Sequence, residues 1–162
     1  VMSRYDRLVD FGCGKGRVLF YVNQRFRCEV CGIEVDEALY ENALDNRAYY
    51  NTRFRDSLER IELIHGKAEE YEVKREDNIF YFFNPFSVEI LHKVMARILE
   101  SYYEAPREIY LFFYYPSDEY IGYLMTVDEL EFYDEIECDD LFAGTDPRER
   151  ILVFMLPDYP SI

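Results

Sequence analysis

Short apolar segments alternate with stretches of helical periodicity along most of the chain. The apolar segments at about 8–9, 28–34, 61–65, 78–83 and 109–115 are predicted strands. Buried strands that alternate with helices are typical of a parallel sheet covered by helices on both faces. The pattern therefore predicts an α/β fold, a three-layer sandwich in which helices cover both faces of a mostly parallel sheet.

The predicted helices bury one face each. Asp36 is a candidate N-cap for a helix that turns Leu39, Ala43 and Tyr50 inward. The clearest amphipathic helix repeats its apolar residues at intervals of three and four, at Leu91, Val94, Met95, Ile98, Leu99 and Tyr102. An earlier helix does the same with Val18, Leu19, Val22 and Phe26.

Two segments fix the expected middle and edge of the sheet. Four consecutive aromatic residues at 80–83 are too apolar for an exposed edge, so this strand is predicted at the centre and its aromatic run in the core. Near the C-terminus, residues 130–138 alternate apolar and polar side chains, and 151–156 is apolar. We expect these two strands to pair antiparallel at one edge, with one face of the first strand in solvent.

Length and composition indicate one domain over residues 1–162. The chain has 162 residues, 49% of them hydrophobic, with 13 Phe and 16 Tyr, enough for a sizeable core. No apolar run approaches the roughly 20 residues of a membrane span, so we expect a cytoplasmic protein. The chain begins with Val and reaches its first strand at once, and we expect it to lack an N-terminal segment.

The net charge of -15 makes nucleic acid an improbable partner, because such binding depends largely on Lys and Arg. A basic patch around Arg53, Arg55 and Arg60 is the exception to consider, although a solvated surface explains it as well. A small molecule or a protein is the expected substrate, and oligomeric state is left open. No metal is expected, because Cys28 and Cys31 form a lone pair on a predicted strand and residues three apart point to opposite faces.

A glycine turn follows the first strand directly. Asp10 precedes three glycines at alternate positions, Gly12, Gly14 and Gly16. Glycine adopts positive φ and lets a ligand approach the backbone, so the turn predicts a binding cradle. Neither the dinucleotide spacing Gly-x-Gly-x-x-Gly nor the phosphate-binding Gly-x-x-x-x-Gly-Lys pattern is present.

Two acidic residues narrow the choice of ligand. Asp10 would repel a pyrophosphate but attract an ammonium or sulfonium group. Glu34 ends the second strand, a position from which a carboxylate can accept hydrogen bonds from both hydroxyls of a ribose. The two carboxylates together favour a nucleoside that carries positive charge.

The segments 8–17, 32–36, 66–69 and 83–86 resemble, in order, the motifs of class I S-adenosylmethionine-dependent methyltransferases. The resemblance spans about 8–156 and implies a three-layer Rossmann-like sandwich, with a mostly parallel seven-stranded sheet that has an antiparallel edge strand. It also implies S-adenosylmethionine as cofactor.

Carried over to this chain, the resemblance implies a set of cofactor contacts. Asp10, Gly12, Cys13, Gly14 and Gly16 would surround the methionine part of the cofactor. Glu34 would bind the ribose and Val35 would pack on the adenine. The adenine edge would be met by residues after Gly66, where Lys67 replaces the family's usual acid and Ala68 or Glu69 would serve instead.

The segment Asn84-Pro85-Phe86 is the candidate catalytic turn, with Asn84 also beside the methyl group. It resembles the Asn-Pro-Pro-aromatic turn of amino methyltransferases but lacks one proline. Tyr114 or Tyr115 would line the acceptor pocket or remove a proton. Two rival functions are a non-catalytic S-adenosylmethionine-binding sensor or scaffold and, from another class, a nicotinamide-dependent oxidoreductase.

Overall fold

The computed structural model describes residues 2–55, 60–137 and 149–159. They form a three-layer α/β sandwich with helices on both faces of a seven-stranded sheet. The strands are β1 (Arg7–Phe11), β2 (Glu29–Glu34), β3 (Ile61–His65), β4 (Ile79–Phe82), β5 (Ile109–Tyr114), β6 (Glu131–Glu137) and β7 (Arg150–Leu156). Their order across the sheet is β3-β2-β1-β4-β5-β7-β6, which confirms the predicted fold class.

Strands β1 to β5 run parallel, so their carboxyl ends meet at one edge of the sheet. The strand order reverses at β1. The chain continues from β1 to β2 and β3 on one side, and β4 then lies on the other side of β1. In open α/β sheets a ligand crevice lies at this point.

Four α-helices occupy the described ranges: α1 (Arg17–Phe26), α2 (Glu37–Arg53), α3 (Val88–Glu104) and α4 (Asp118–Leu124). A single turn of 3-10 helix covers Ala68–Glu70. The side chain of Asp36 accepts a hydrogen bond from the Leu39 N–H at 2.9 Å, which confirms the predicted N-cap of α2. None of these described helices is long and apolar enough to cross a membrane.

Two core clusters lie on opposite faces of the sheet. The larger packs α3 and α4 on residues such as Phe11, Phe82 and Phe113, and the smaller packs α1 and α2 mainly on β1, β2 and β3. Phe80 and Phe82 are fully buried in β4, the fourth of seven strands, so the predicted centre of the sheet is confirmed. Phe83 was expected in the core as well, but it follows the end of β4 and its side chain is 56% exposed.

The edge hairpin confirms one expectation and corrects another. Strand β7 pairs antiparallel with both β5 and β6, so β6 is the outermost strand. All seven residues of β6 are exposed, so the expectation of a single solvated face is wrong. The register shifts between Phe132 and Asp134, and the extra residue in this bulge breaks the simple alternation. Cys138 and the predicted turn at 143–147 lie outside the described residues.

Candidate cofactor and acceptor site

The glycine turn forms the crevice at the carboxyl end of β1. Gly12, Gly14 and Gly16 have φ angles of 78°, 55° and 90°, a region that residues with a side chain rarely adopt. The backbone N–H groups of Gly12 and Cys13 both donate to the Ile33 carbonyl, at 2.8 and 3.0 Å. These bonds fold the turn over the end of β2, and Gly16 then becomes the N-cap of α1.

Glu34 joins the two loops that border this crevice. Its Oε1 accepts the backbone N–H of Gly14 at 2.7 Å, and its Oε2 accepts the N–H of Asp36 at 2.9 Å. The residue is only 6% exposed. Because each carboxylate oxygen can accept two hydrogen bonds, both retain capacity for a ligand hydroxyl.

Asp10 is buried close enough to Glu34 for their charges to interact. Burial and, after it, the negative charge of Glu34 raise the pKa of Asp10 to about 7. The crevice therefore concentrates negative charge at its base. A positively charged ligand would relieve this repulsion.

A second set of buried charges differs from Asp10 and Glu34 in that it contains both signs. At the opposite end of the strands, Arg7 Nε lies 2.7 Å from Asp77 Oδ1, and the Tyr71 hydroxyl donates to Asp77 Oδ2 at 2.7 Å. Opposite charges there compensate each other within the protein, whereas Asp10 and Glu34 carry the same sign. A buried acid with a strongly raised pKa, such as Asp10, is typical of functional sites when it lies in a crevice.

Cys13 faces the protein. Its side chain is 8% exposed, and a Cβ built on Gly32 would lie 2.7 Å from its sulfur, so the two residues pack tightly. Burial, followed by the charges of Asp10 and Glu34, raises the pKa of the Cys13 thiol. A neutral thiol fits this position against α1 and β2.

The side of the crevice where the sequence predicted adenine contains one residue that sequence reasoning did not select. Val35 is 62% exposed just beyond β2, as a hydrophobic platform requires. His65 Nε2 lies 3.1 Å from the Val35 carbonyl oxygen, and its ring stacks on Tyr40 with centroids 5.1 Å apart. His65 pairs in register with Glu34, so its place at the end of the neighbouring strand is the signal that identifies it.

The three residues predicted at the adenine edge lie just after β3. Lys67 is exposed and precedes the 3-10 turn, which begins at Ala68. Ala68 and Glu69 are partly buried, and Ala68 packs against the larger core cluster. Ala68 and Glu69 therefore follow β3 at the same end of the sheet as Val35.

Asn84 connects the loop after β4 to the loop after β5. Its Nδ2 donates to the Tyr115 carbonyl, and its Oδ1 accepts the backbone N–H of Ser117 at 3.1 Å. Asn84 and Tyr115 have φ angles of 38° and 50°, unusual for residues other than glycine. The side-chain amide therefore holds two strained loops together in this structure.

Pro85 and Phe86 pack back onto the protein. A Cβ on Gly12 would lie 2.7 Å from Pro85 Cβ, so the glycine turn and the Asn84-Pro85-Phe86 turn are in direct contact. The Phe86 ring lies 6.4 Å from that of Phe11 and 6.3 Å from that of Phe82, in edge-to-face geometry. Phe86 thus anchors this turn in the core with part of its ring.

Tyr114 ends β5 and Tyr115 follows it, beside this turn. The Tyr114 hydroxyl donates to Glu149 Oε1 at 2.9 Å, and its ring packs on Phe83 with centroids 4.7 Å apart. Tyr115 contributes its carbonyl to Asn84. Both tyrosines therefore lie at the carboxyl edge, where the sequence predicted them.

The cysteine pair takes the placement expected for buried structural residues. Cys28 belongs to the smaller core cluster and Cys31 to the larger, so their side chains lie on opposite faces of the sheet. Within residues 2–55, 60–137 and 149–159, no three His, Cys, Asp or Glu side chains are grouped to hold a metal.

Comparison with known families gives one match. A family model described as a methyltransferase domain matches residues 8–105, which include the glycine turn, Glu34 and the Asn84 turn. No curated protein matches the chain by sequence.

Solved structures share the fold over nearly the whole chain. An rRNA methylase from Streptococcus thermophilus aligns with a TM-score of 0.66 and 14% identity, over 97% of this chain and 89% of that one. An RNA methyltransferase from Salinibacter ruber, in complex with S-adenosyl-L-homocysteine, aligns with a TM-score of 0.64 and 15% identity, over 99% and 86%. A TehB-like S-adenosylmethionine-dependent methyltransferase from Corynebacterium glutamicum gives 0.62 and 15%, over 95% and 81%.

Proposed function

Since the chain belongs to the methyltransferase-domain family, with the fold of class I S-adenosylmethionine-dependent enzymes, we propose that it transfers a methyl group from that cofactor to a nucleophilic acceptor. The bond between the sulfonium sulfur and the methyl carbon breaks, and its electron pair stays on sulfur. The acceptor's lone pair forms the new bond, and the acceptor loses a proton where it carries one. The protein's part is to align acceptor, methyl and sulfur.

The observation that carries this proposal is the placement of Asp10 and Glu34. Two buried carboxylates of like charge lie beneath a glycine turn, and one of them retains hydrogen-bonding capacity for ribose hydroxyls. A nucleoside with a sulfonium group satisfies both features: its hydroxyls donate to Glu34, and its positive charge offsets the repulsion. We assign Val35, Ala68 and Glu69 to the adenine, with His65 holding the Val35 backbone in position.

We assign acceptor alignment to the segment Asn84-Pro85-Phe86. The contact between Pro85 and Gly12 supports this assignment, because it puts the turn directly against the cofactor cradle. Asn84 would act mainly by holding the loop of Tyr115 and Ser117 in place.

The engaged amide of Asn84 also favours a second function, a cofactor-binding sensor or scaffold without turnover. In that case the hydrogen bonds from Asn84 to the loop of Tyr115 and Ser117 would respond to bound cofactor rather than help to orient an acceptor. The two functions differ only in turnover. Transfer of radioactive methyl from S-adenosylmethionine to any component of a cell extract supports the enzyme, and tight binding without any transfer supports the sensor.

The cofactor assignment is tested by calorimetric titration with S-adenosylhomocysteine and, separately, with NADH. We expect saturable binding of S-adenosylhomocysteine and none of NADH. Binding of NADH alone would contradict the proposal and would restore the oxidoreductase alternative.

A further inference from the structure

One corner of this acidic protein brings four arginines together. The Arg60 side chain donates a hydrogen bond to the Arg27 carbonyl, across the starts of β3 and β2. Arg47 in α2 donates to the carbonyl of Ile61, the first residue of β3, at 3.2 Å. Arg47 also lines one cavity together with Arg55, which follows the end of α2. We call these four arginines the arginine corner.

The arginine corner differs in sign from the protein as a whole, whose net charge is -15. Residues 46–55 contain three arginines and no acid. Glu29, at the start of β2, is ion-paired with Arg7, whereas no acid in the described part of the chain forms an ion pair with the four arginines. Asp56 and Glu59 follow in the sequence and offset at most two of the four charges. The corner therefore keeps a positive excess.

The cavity lies beside the second half of α2 and has a volume of about 480 Å³. Sites for small molecules usually have volumes of about 300–1,000 Å³. The lining residues recur at intervals of three and four, so one face of the helix supplies most of them. They are Leu44, Arg47, Ala48, Asn51, Thr52 and Arg55. The cavity thus combines two guanidinium groups with apolar side chains and one side-chain amide.

The amide of Asn51 adds an unused hydrogen-bond acceptor. Its Oδ1 is buried and has no hydrogen-bond partner among the residues that the structure describes. An unpaired buried acceptor destabilises a fold, so a ligand that brings a donor to this atom is favoured. The bond from Arg47 to the Ile61 carbonyl holds one guanidinium group in place before a ligand arrives.

We propose that this cavity binds a compact phosphorylated small molecule that also carries a hydroxyl group. The phosphate would lie on Arg47 and Arg55, because guanidinium groups match phosphate oxygens in bidentate geometry. The hydroxyl would donate to Asn51 Oδ1. Charge selects a compact ligand: its phosphate stays within the positive corner, whereas a nucleic-acid strand would continue over a surface of net negative charge.

This site is separate from the proposed cofactor site. Arg47 is bound to Ile61 at the start of β3, whereas the glycine turn follows the end of β1. Because β1, β2 and β3 run parallel, the start of β3 and the end of β1 lie at opposite edges of the sheet. The proposal therefore adds a second ligand and does not depend on methyl transfer.

The test is an NMR titration at pH 8 that follows the backbone amide signals of Ala48 and Thr52. Glycerol 3-phosphate carries a phosphate and hydroxyls, methyl phosphate the phosphate alone, and glycerol the hydroxyls alone. At this pH both phosphates are dianions and donate no hydrogen bond. We expect saturable shifts with both phosphates, with glycerol 3-phosphate binding about fivefold more tightly through the hydroxyl. Glycerol should cause no saturable shift.

The chain supplies a matched pair of variants for the phosphate. Arg53 and Arg55 are both exposed and two positions apart, but Arg53 is outside the lining of the cavity. Arg53 lies in the last turn of α2, where its interaction with the helix dipole accounts for it without a ligand. We expect Arg55→Gln to weaken binding of methyl phosphate at least about tenfold and Arg53→Gln to change it less than about twofold.

A third variant tests the hydroxyl. Asn51→Leu removes the acceptor and keeps a side chain of similar size. Binding of methyl phosphate should stay at the wild-type value in this variant, and the advantage of glycerol 3-phosphate should disappear. Urea unfolding verifies that each variant is folded. The affinity for S-adenosylhomocysteine should be unchanged in Arg55→Gln, which separates this site from the cofactor site.

Four outcomes would overturn the proposal. No saturable shift with either phosphate would show that the cavity is not a phosphate site. Equal losses in the Arg53 and Arg55 variants would reduce the effect to general electrostatics. An advantage of glycerol 3-phosphate that survives Asn51→Leu would remove the hydroxyl contact. A single-stranded RNA of about 15 nucleotides that binds through Arg55 and is not displaced by glycerol 3-phosphate would assign the corner to a nucleic-acid backbone.

Discussion

The carboxylate of Glu34 accepts the backbone N–H of Gly14 at 2.7 Å, so the residue that ends β2 also holds the glycine turn that follows β1. Its second oxygen accepts the Asp36 N–H at the start of α2. One buried side chain thereby fixes the relative positions of two loops. This arrangement preorganises the cradle, because the ligand does not have to order these loops when it binds.

Replacing Glu34 with Gln tests its role in binding. The amide of Gln offers one acceptor oxygen where the carboxylate offers two, so a ligand hydroxyl or a backbone N–H loses its partner. We expect the affinity for S-adenosylhomocysteine to fall by about 1–3 kcal/mol, as for lost hydrogen bonds to a charged group. Calorimetric titration measures this change.

Glu37→Gln is the matched control for that variant. Glu37 is an exposed acid at the first residue of α2, three positions from Glu34, and its loss affects mainly the interaction with the helix dipole. Its affinity for S-adenosylhomocysteine should remain at the wild-type value. Equal affinities in both variants would remove Glu34 from the site.

Gly12 and Gly14 allow backbone strain to be separated from steric contact. Both have positive φ, but a Cβ at Gly12 would lie 2.7 Å from Pro85 Cβ, whereas a Cβ at Gly14 meets nothing within 4 Å. We expect Gly14→Ala to lower the free energy of unfolding by about 1–2 kcal/mol, the cost of left-handed backbone. Gly12→Ala should cost more, because Pro85 must also move. Equal losses in urea unfolding would contradict the contact between the two turns.

The glycine turn and the central strands were predictable because their signals are local. Three glycines at alternate positions after an apolar segment indicate a turn with positive φ angles. The aromatic residues of β4 leave the strand without a polar face, which indicates a central position in the sheet. The ends of β3 also agree with the predicted 61–65. In each case the neighbouring residues carry enough information to fix the conformation.

Other features depend on contacts that are distant in sequence. The exposure of Phe83 follows from the end of β4 one residue earlier, and the bulge at β6 follows from its pairing with β7. The bond from Asn84 to the Tyr115 carbonyl joins two loops 31 positions apart. The sequence pattern selected Asn84, but only the fold supplies its partners.

Two substitutions at Asn84 separate its hydrogen bonds from its backbone conformation. Asn84→Gly removes the bonds to Tyr115 and Ser117 but tolerates the φ of 38°, whereas Asn84→Ala removes the bonds and adds strain. We expect each to lower the free energy of unfolding by about 1–3 kcal/mol for the two lost bonds. Asn84→Ala should lose about 1 kcal/mol more. If Asn84→Gly unfolded at the same urea concentration as the wild type, the two hydrogen bonds of Asn84 would not stabilise the loops.

The raised pKa of Asp10 gives opposite predictions for stability and for binding. Because burial and then Glu34 raise the pKa from 3.8 to about 7, ionisation of Asp10 destabilises the fold. This contribution to stability is full below about pH 4 and is lost as pH rises towards 7. Asp10→Asn should therefore unfold like the wild type at low pH and be more stable at pH 8, by at most about 4 kcal/mol.

The same variant should bind S-adenosylmethionine more weakly at pH 8, by about 1–3 kcal/mol, because the proposed site loses one of its two negative charges. We expect the affinity of the wild type for the cofactor to rise as Asp10 ionises near pH 7, and the affinity of Asp10→Asn to show no such rise. Urea unfolding and calorimetry at matched pH values measure the two effects. If Asp10→Asn were less stable than the wild type at pH 8, or bound the cofactor equally well, the carboxylate would be a structural group and the electrostatic basis of the site would fail.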